Sequence, residues 1–296
     1  MSATTSTALA RPRQPNPVLA FIRAQPLGTA GLLVILIMAV AAIFAEVIAP
    51  FDPEAVDFAA MLSPPGIEHL FGTDPFGRDI LTRIIYGART ALTIGFLSSF
   101  IGCTLGGLLG SASAYFGGRT DMIIQRFVDI VLSFPIVVLA LVVVAVLGKA
   151  TILGIDFNLI FAIAIPIIPR ACRVVRSAAL SVRAMPYIDA ARAGGYSSAH
   201  IILRHMAPNV LAPYLILLTA YIAQAILLEA SLSFLGLGVS EPKPAWGLML
   251  AGDSSNFYQE APWIILFPGL AISLAVFAFN LFGDSLRDWL DPKFRT

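Results

Sequence analysis

Residues Tyr187 to Asn209 read YIDAARAGGYSSAHIILRHMAPN, a polar, glycine-broken hairpin of helical pattern set between long apolar runs. Pro186, just ahead of it, suits the first turn of a helix, where its missing N–H costs nothing, and Ile188, Ala191 and Arg192 fall on neighbouring positions of the turns that follow. Gly194 and Gly195 stop that helix, since glycine adopts the left-handed geometry of a C-terminal cap. Ser197 or Ser198 then offers an N-cap oxygen to a second helix expected to run to about Met206 and to end at Pro208. Ile201, Ile202 and His205 give this second helix one mostly apolar face. So short a helix is not stable alone in water, so it needs a groove to lie in. An ordinary amphipathic loop on a membrane surface is the competing reading.

Outward from the hairpin the chain turns apolar. Of 296 residues 58% are hydrophobic and 12% charged, with a mean hydropathy of +0.85, which exceeds what a soluble core needs and indicates a polytopic membrane protein. A net charge of +1 and the lack of basic runs give nucleic acid no footprint. Cys103 and Cys172 lie in or beside expected spans, far apart in sequence, and read as small apolar filler. Residues 1–23 are polar, with Arg11, Arg13 and Arg23, and read as a poorly ordered tail. The uncharged run from Ala24 to Ala45 is too long for a signal-peptide core and long enough to cross a bilayer, so it is read as a retained first span.

Further uncharged runs cover Thr90 to Gly118, Ile130 to Gly148, Phe157 to Pro169, His205 to Leu228 and Ala261 to Gly283. The Phe157 run is short of the ~20 residues a spanning helix needs. It is expected to start near Ala150, to tolerate Asp156 at the interface and to bend at Pro166 and Pro169. The resulting class is an all-α bundle of six transmembrane helices with both termini on one side. With the N-terminus inside, fourteen of the Lys and Arg residues fall in inner segments and five (Arg78, Arg83, Arg89, Lys149 and Lys243) in outer ones. That asymmetry satisfies the positive-inside rule and puts the hairpin in the cytoplasm.

Within the second run Gly102, Gly106, Gly110 and Ala114 recur every four residues, a smooth stripe that lets helices approach closely in lipid, either inside the chain or at a subunit seam. Between the first two runs lies an acidic outer segment containing His69-Leu-Phe-Gly-Thr-Asp-Pro-Phe-Gly-Arg-Asp79, followed by an amphipathic stretch from Ile80 to Arg89. Asp74, Arg78 and Asp79 are placed to form a local ion-pair cluster, worth little if solvated. Ala230 to Ser240 is apolar but too short to span, and reads either as a helix dipping in from the outer face or as a lid packed on the bundle. Glu229 is expected at the interface, and nothing else ionisable lies deep in a span, so a relay of the kind secondary carriers display is missing.

Asp189, Ala190, Ala191, Gly195, His205 and Pro208 resemble the EAA loop of ABC-transporter permeases, with Asp189 where a glutamate is usual. Gly72, Thr73, Asp74, Gly77, Arg78 and Asp79 resemble the FGTDxxGRD signature of the dipeptide, oligopeptide and nickel branch of that family, in particular its "C"-type permease. The stretches Glu229 to Gly238, Pro242 to Met249, Phe267 to Leu270 and Asn280 to Pro292 continue the similarity, which covers roughly residues 15–296. The resemblance implies the type I importer permease fold, similar to the methionine permease, with the first span and outer loop over 24–89, the permease domain over 90–286 holding the coupling loop 187–209, and a C-terminal tail over 287–296. It implies a bacterial inner-membrane subunit that forms a path for short peptides with a second homologous permease. One or two ATP-binding subunits would bind ATP and Mg and dock on the loop, and a periplasmic or lipid-anchored solute-binding protein would deliver the solute. Nickel chelates, glutathione and opines are alternative cargoes.

The residues themselves carry no enzyme. Gly148-Lys149 lacks the rest of a phosphate-binding loop, no HExxH or GxSxG occurs, and His200 and His205 are five apart rather than the four that put two metal ligands on one helical face. No cofactor or metal is expected on this chain. A stand-alone channel or carrier, which would transport without nucleotide, and a purely structural scaffold are the rival classes.

Overall fold

The computed structural model describes residues 17–148, 151–152, 155–252, 256–257 and 259–290. It is an all-α bundle in which a two-residue ladder, β1 (Thr151–Ile152) with β2 (Ile155–Asp156), is the extended exception among the described residues. Helix α1 (Pro17–Ala24) is separated from α2 (Pro26–Ile43) at Gln25, so residues 17–23 are helical rather than part of an unstructured tail; residues 1–16 and 291–296 lie outside the description. After the short α3 (Ala45–Ile48) and a 3-10 turn at Phe58–Ala60, α4 runs from Ile80 to Phe116. The amphipathic entry stretch and the second span are therefore one helix, of 37 residues and about 55 Å at 1.5 Å per residue, longer than a hydrocarbon core is thick.

The third apolar run does not form a straight span. Helix α5 (Gly118–Leu132) and α6 (Ile136–Leu147) meet at 92° across Ser133, Phe134 and Pro135. Hydropathy registers how apolar a run is but not the direction of its axis. Twelve residues give α6 about 18 Å, too little to cross by itself. Five helical runs are long and apolar enough to span, and the count reaches six only when the bent pair is taken as one span.

Helix α7 (Phe157–Arg183) begins later than expected and continues unbroken through Pro166 and Pro169. A start near Ala150 falls where residues 149–150 and 153–154 are outside the description. Then come α8 (Pro186–Ala193), α9 (Ser198–His200), a π-helical stretch (Ile201–Met206), a 3-10 turn (Ala207–Val210) and α10 (Leu211–Phe234), followed by α11 (Trp246–Met249) and α12 (Trp263–Leu290).

Helix α4 packs along α7, and the glycine stripe is the reason. A Cβ on Gly102 would lie 2.8 Å from Ile167 Cβ, one on Gly106 2.4 Å from the Ile168 carbonyl oxygen, and one on Gly110 2.4 Å from that of Cys172. The stripe thus serves packing within the chain. Helices α2 and α12 lie equally close, Gly31 facing the Ala278 backbone.

These contacts define two ends. Arg89 of α4 donates to the Ala42 carbonyl at the end of α2, and Trp263 at the start of α12 donates to the Thr73 carbonyl. At the opposite end Tyr115 of α4 packs with Ile188, Ile201 and Met206, and Phe21 of α1 meets Trp289 of α12 edge to face at 5.6 Å. The first and last described helices therefore finish at the same end as the hairpin.

Helix α5 is pinned across α7 by ion pairs. Arg176 gives a two-pronged contact to Asp121 at 2.6 and 2.5 Å, and Arg173 pairs with Asp129. The first pair is only partly shielded, so Arg176→Glu should lower stability by about 1–2 kcal/mol. Thermal unfolding of the purified protein should show the loss, and Arg176→Glu with Asp121→Arg should regain most of it. A double variant no better than the single one would mean the pair does not hold α5.

Candidate functional site

The candidate residues gather at the two ends. At the first end, Gly72 (φ +75°) and Gly77 (φ +73°) allow tight turns, and Thr73 pairs with Asp79 in an isolated antiparallel bridge. Asp74 is 5% exposed and works twice: Oδ1 accepts from the Phe76 and Arg78 backbone N–H at 2.8 and 3.0 Å, and Oδ2 accepts from Arg78 Nε at 2.6 Å. Asp79 takes no part in that ion pair. Its Oδ2 caps α4 by accepting from Thr82 N–H at 2.8 Å, while Oδ1 meets His69 Nδ1 at 2.9 Å. Thr73 Oγ1 donates to the Ala60 carbonyl and accepts from Ser63 N–H, closing the loop on itself.

The three-residue cluster is therefore reduced to a buried Asp74–Arg78 pair with a distant partner. Arg78 Nη1 donates to Glu241 Oε2 at 2.6 Å, and Arg83, 1% exposed, reaches the Pro53 and Pro242 carbonyls at 2.9 and 3.3 Å. Arg83 Nη2 is 3.6 Å from the same Glu241 carboxylate. Burial works to lower the Arg78 pKa, but the hydrogen bond to Glu241 and the charges of Asp74 and Glu241 outweigh it and hold it above its ordinary value. The loop ahead of α4 and the loop following α10 are thus latched together over more than 160 residues of sequence. Trp246 tightens the latch: its Nε1 donates to the Ile84 carbonyl at 3.0 Å, and its ring fills the space left by Gly87.

Ala230 to Ser240 is not an element of its own. Residues 230–234 are the last turns of α10, and the loop beyond folds back as a lid, with the Gly238 and Gly247 backbones against Ser233 and Ala230. Glu229, near the end of α10, is enclosed by protein; its carboxylate accepts from Ser233 Oγ at 2.7 Å, and that hydroxyl accepts in turn from Val239 N–H at 3.1 Å.

At the second end the hairpin closes as its glycines suggest. Gly195 has φ +77°, Gly195 N–H donates to the Arg192 carbonyl and Tyr196 N–H to that of Ala191, the paired bonds of a Schellman cap. Ser197 caps the second helix through His200 N–H at 3.3 Å. Ile188, Ile201 and Met206 are fully buried among Ala114, Tyr115, Val175 and Ala179. Asp189 is exposed, 3.2 Å from Arg192, whose guanidinium lies over the Tyr115 ring. Ala190 is exposed and Ala191 buried. His205 sits beside Tyr196 and His200, with its Nε2 buried and unpartnered.

Pro208 does not end the second helix. Ala207 N–H reaches back five residues to the Ile202 carbonyl, a wide turn that makes room for the proline ring, and the 3-10 turn after it leads straight into α10. Ser198–Phe234 is one helical run of 37 residues.

Sequence reasoning missed Glu241, Arg83, His69 and Trp246 as members of this latch. The available signal was a carboxylate ahead of Pro242, in a loop that also carries Lys243. Among the described residues no group of three His, Cys, Asp or Glu side chains is placed to hold a metal ion.

Residues 102–296 match the model of the binding-protein-dependent transport system inner membrane component, and residues 19–65 match that of the N-terminal transmembrane domain of oligopeptide transport permease C. The chain belongs to the binding-protein-dependent transport permeases. Similar permeases include the dipeptide transport system permease protein DppC of Alkalihalophilus pseudofirmus, 43% identical over 93% of this chain and 88% of that one. A putative peptide transport system permease of Brucella suis is 43% identical over 90% and 87%, and the glutathione transport system permease GsiD of Escherichia coli 42% identical over 90% and 86%. A solved inward-facing MetNI methionine ABC transporter chain superimposes with a TM-score of 0.53 at 17% identity, covering 72% of this chain and 98% of that one. The permease fold of that transporter is thus shared. This permease is a multi-pass inner-membrane subunit of an ABC importer.

Proposed function

We propose that this permease forms, with a second homologous permease, the path by which an importer takes up short peptides, and that its Tyr187–Asn209 hairpin receives the thrust of partner ATPases that bind the ATP and Mg. The observation that carries the reading is the two-sided hairpin. One side is fused by Ile188, Ile201 and Met206 to the ends of α4 and α7, while Tyr187, Asp189, Tyr196 and Leu203 on the other side stand exposed. Apolar and aromatic side chains beside an exposed carboxylate suit docking into a protein cleft. The charge asymmetry supports a cytoplasmic hairpin with both termini on its side. The latched outer loops then face a solute-binding protein, periplasmic or lipid-anchored. The dipeptide and peptide permeases among the relatives support peptide as cargo, and the glutathione relative extends the class to a modified tripeptide. Nickel chelates and opines are the cargoes to be distinguished from it.

The test is reconstitution of the permease pair, ATPases and binding protein in vesicles. Uptake of a labelled dipeptide should require ATP inside and binding protein outside. Uptake without nucleotide would make the chain a stand-alone carrier and reject the reading. Gly195→Val adds a finer test. A Cβ there meets nothing within 4 Å, so the change acts through the left-handed backbone alone, at about 1–2 kcal/mol. The variant should assemble but lose roughly tenfold in transport, together with its stimulation of ATP hydrolysis. Unaltered uptake would show that the shape of the hairpin does not matter.

A further inference from the structure

We propose that α5 is an interfacial helix that lies in the headgroup layer and binds acidic phospholipid through Arg119 and Arg126. Three observations carry this. The first is direction. Helix α6 packs along α7 through Ala140 and Val144, which sit among Leu159, Ile160 and Ile163. Helix α5 stands at 92° to α6, so when α6 follows the bundle axis α5 runs in the membrane plane, at the hairpin end. That bend lies at Ser133 to Pro135; at its other end α5 leaves α4 through Gly117 and Gly118, both at positive φ (+63° and +52°), where Arg183 donates to the Ala114 carbonyl.

The second observation is the composition of the outward face. Met122, Ile123, Phe127 and Ile130 are 56–70% exposed, and Arg119 and Arg126 share their face at helical spacing. In water four large apolar side chains would stay unburied, and in hydrocarbon two guanidiniums would. The boundary between phosphate and acyl chain is the medium that suits both.

The third is charge. The two carboxylates of α5 are already taken by α7, Asp121 by Arg176 and Asp129 by Arg173. Arg119 and Arg126 take part in none of the ion pairs of the described residues, so the outward face carries uncompensated positive charge, which complements an anionic headgroup.

The test uses the full importer complex in nanodiscs. A spin label at Ile123→Cys, with the buried Cys103 and Cys172 changed to Ala, is expected to be relaxed by both oxygen and a water-soluble nickel chelate, at a depth near the lipid phosphates. Spin-labelled phosphatidylglycerol should associate in preference to phosphatidylcholine, and Arg119→Gln with Arg126→Gln should remove that preference, each arginine contributing about fivefold. Arg23→Gln, outside the helix, should leave it. A label open to nickel alone places α5 in water, and one shielded from both reagents places it against the second permease; either result overturns the proposal, as does a lipid preference unchanged in the double variant. Depth is read whether or not the complex transports, so this outcome is independent of the cargo and of the hairpin's role.

Discussion

Asp74→Ala is expected to destabilise the permease by about 3–5 kcal/mol, the usual cost of removing one partner from a buried pair. The substitution strips two backbone N–H groups of their acceptor and leaves Arg78 to Glu241 alone, at a site where Asp74 and Arg78 are 5% and 8% exposed. Asp74→Asn keeps the Oδ1 acceptor and loses the charge, so a smaller loss of about 1–3 kcal/mol is expected. Thermal unfolding in detergent would rank the three proteins, and limited proteolysis should cut the outer loop first in the Ala variant. Equal stability of Ala and Asn variants would show that the turn bonds contribute nothing; wild-type stability in both would remove the latch as a structural feature.

Gly106→Leu is expected to prevent folding, and Gly106→Ala to cost about 1–3 kcal/mol. The obstacle is the Ile168 carbonyl, 2.4 Å from where Cβ would sit, flanked by Ala171 Cβ at 2.8 Å. A backbone oxygen inside a helix cannot rotate aside as a side chain can, so α4 and α7 would have to separate along their length. Gly269→Ala is the control, because nothing lies within 4 Å of a Cβ there and alanine is the better helix former. The amount of membrane-inserted protein and its melting temperature would report both. A Gly106→Leu protein as stable as wild type would mean that the α4–α7 seam is looser than described.

What the sequence made legible was set by local rules. Gly195 could be read because a left-handed turn position selects glycine, and the spans could be read because lipid demands continuous apolar helix. The stripe from Gly102 to Gly110 showed that some helix comes close but not which one, since the partner, α7, lies some sixty residues on. Asp74 and Arg78, four apart, were recognisable as neighbours; Glu241 joins them only once the bundle has brought two loops together. Pro208 misled for a different reason. A proline penalises an ordinary α-turn, but a wide turn followed by a tight one removes the clash, and nothing in the local sequence signals that winding change. The right angle at Ser133 to Pro135 was invisible to hydropathy, which has no directional content.

The joint at Pro208 interrupts the regular winding of the Ser198–Phe234 run. A π turn underwinds a helix and a 3-10 turn overwinds it, so back to back their torsions act in opposite senses. The hairpin and the Glu229–Ser233 niche thus belong to a single helical run, with the change of winding at Pro208 between them.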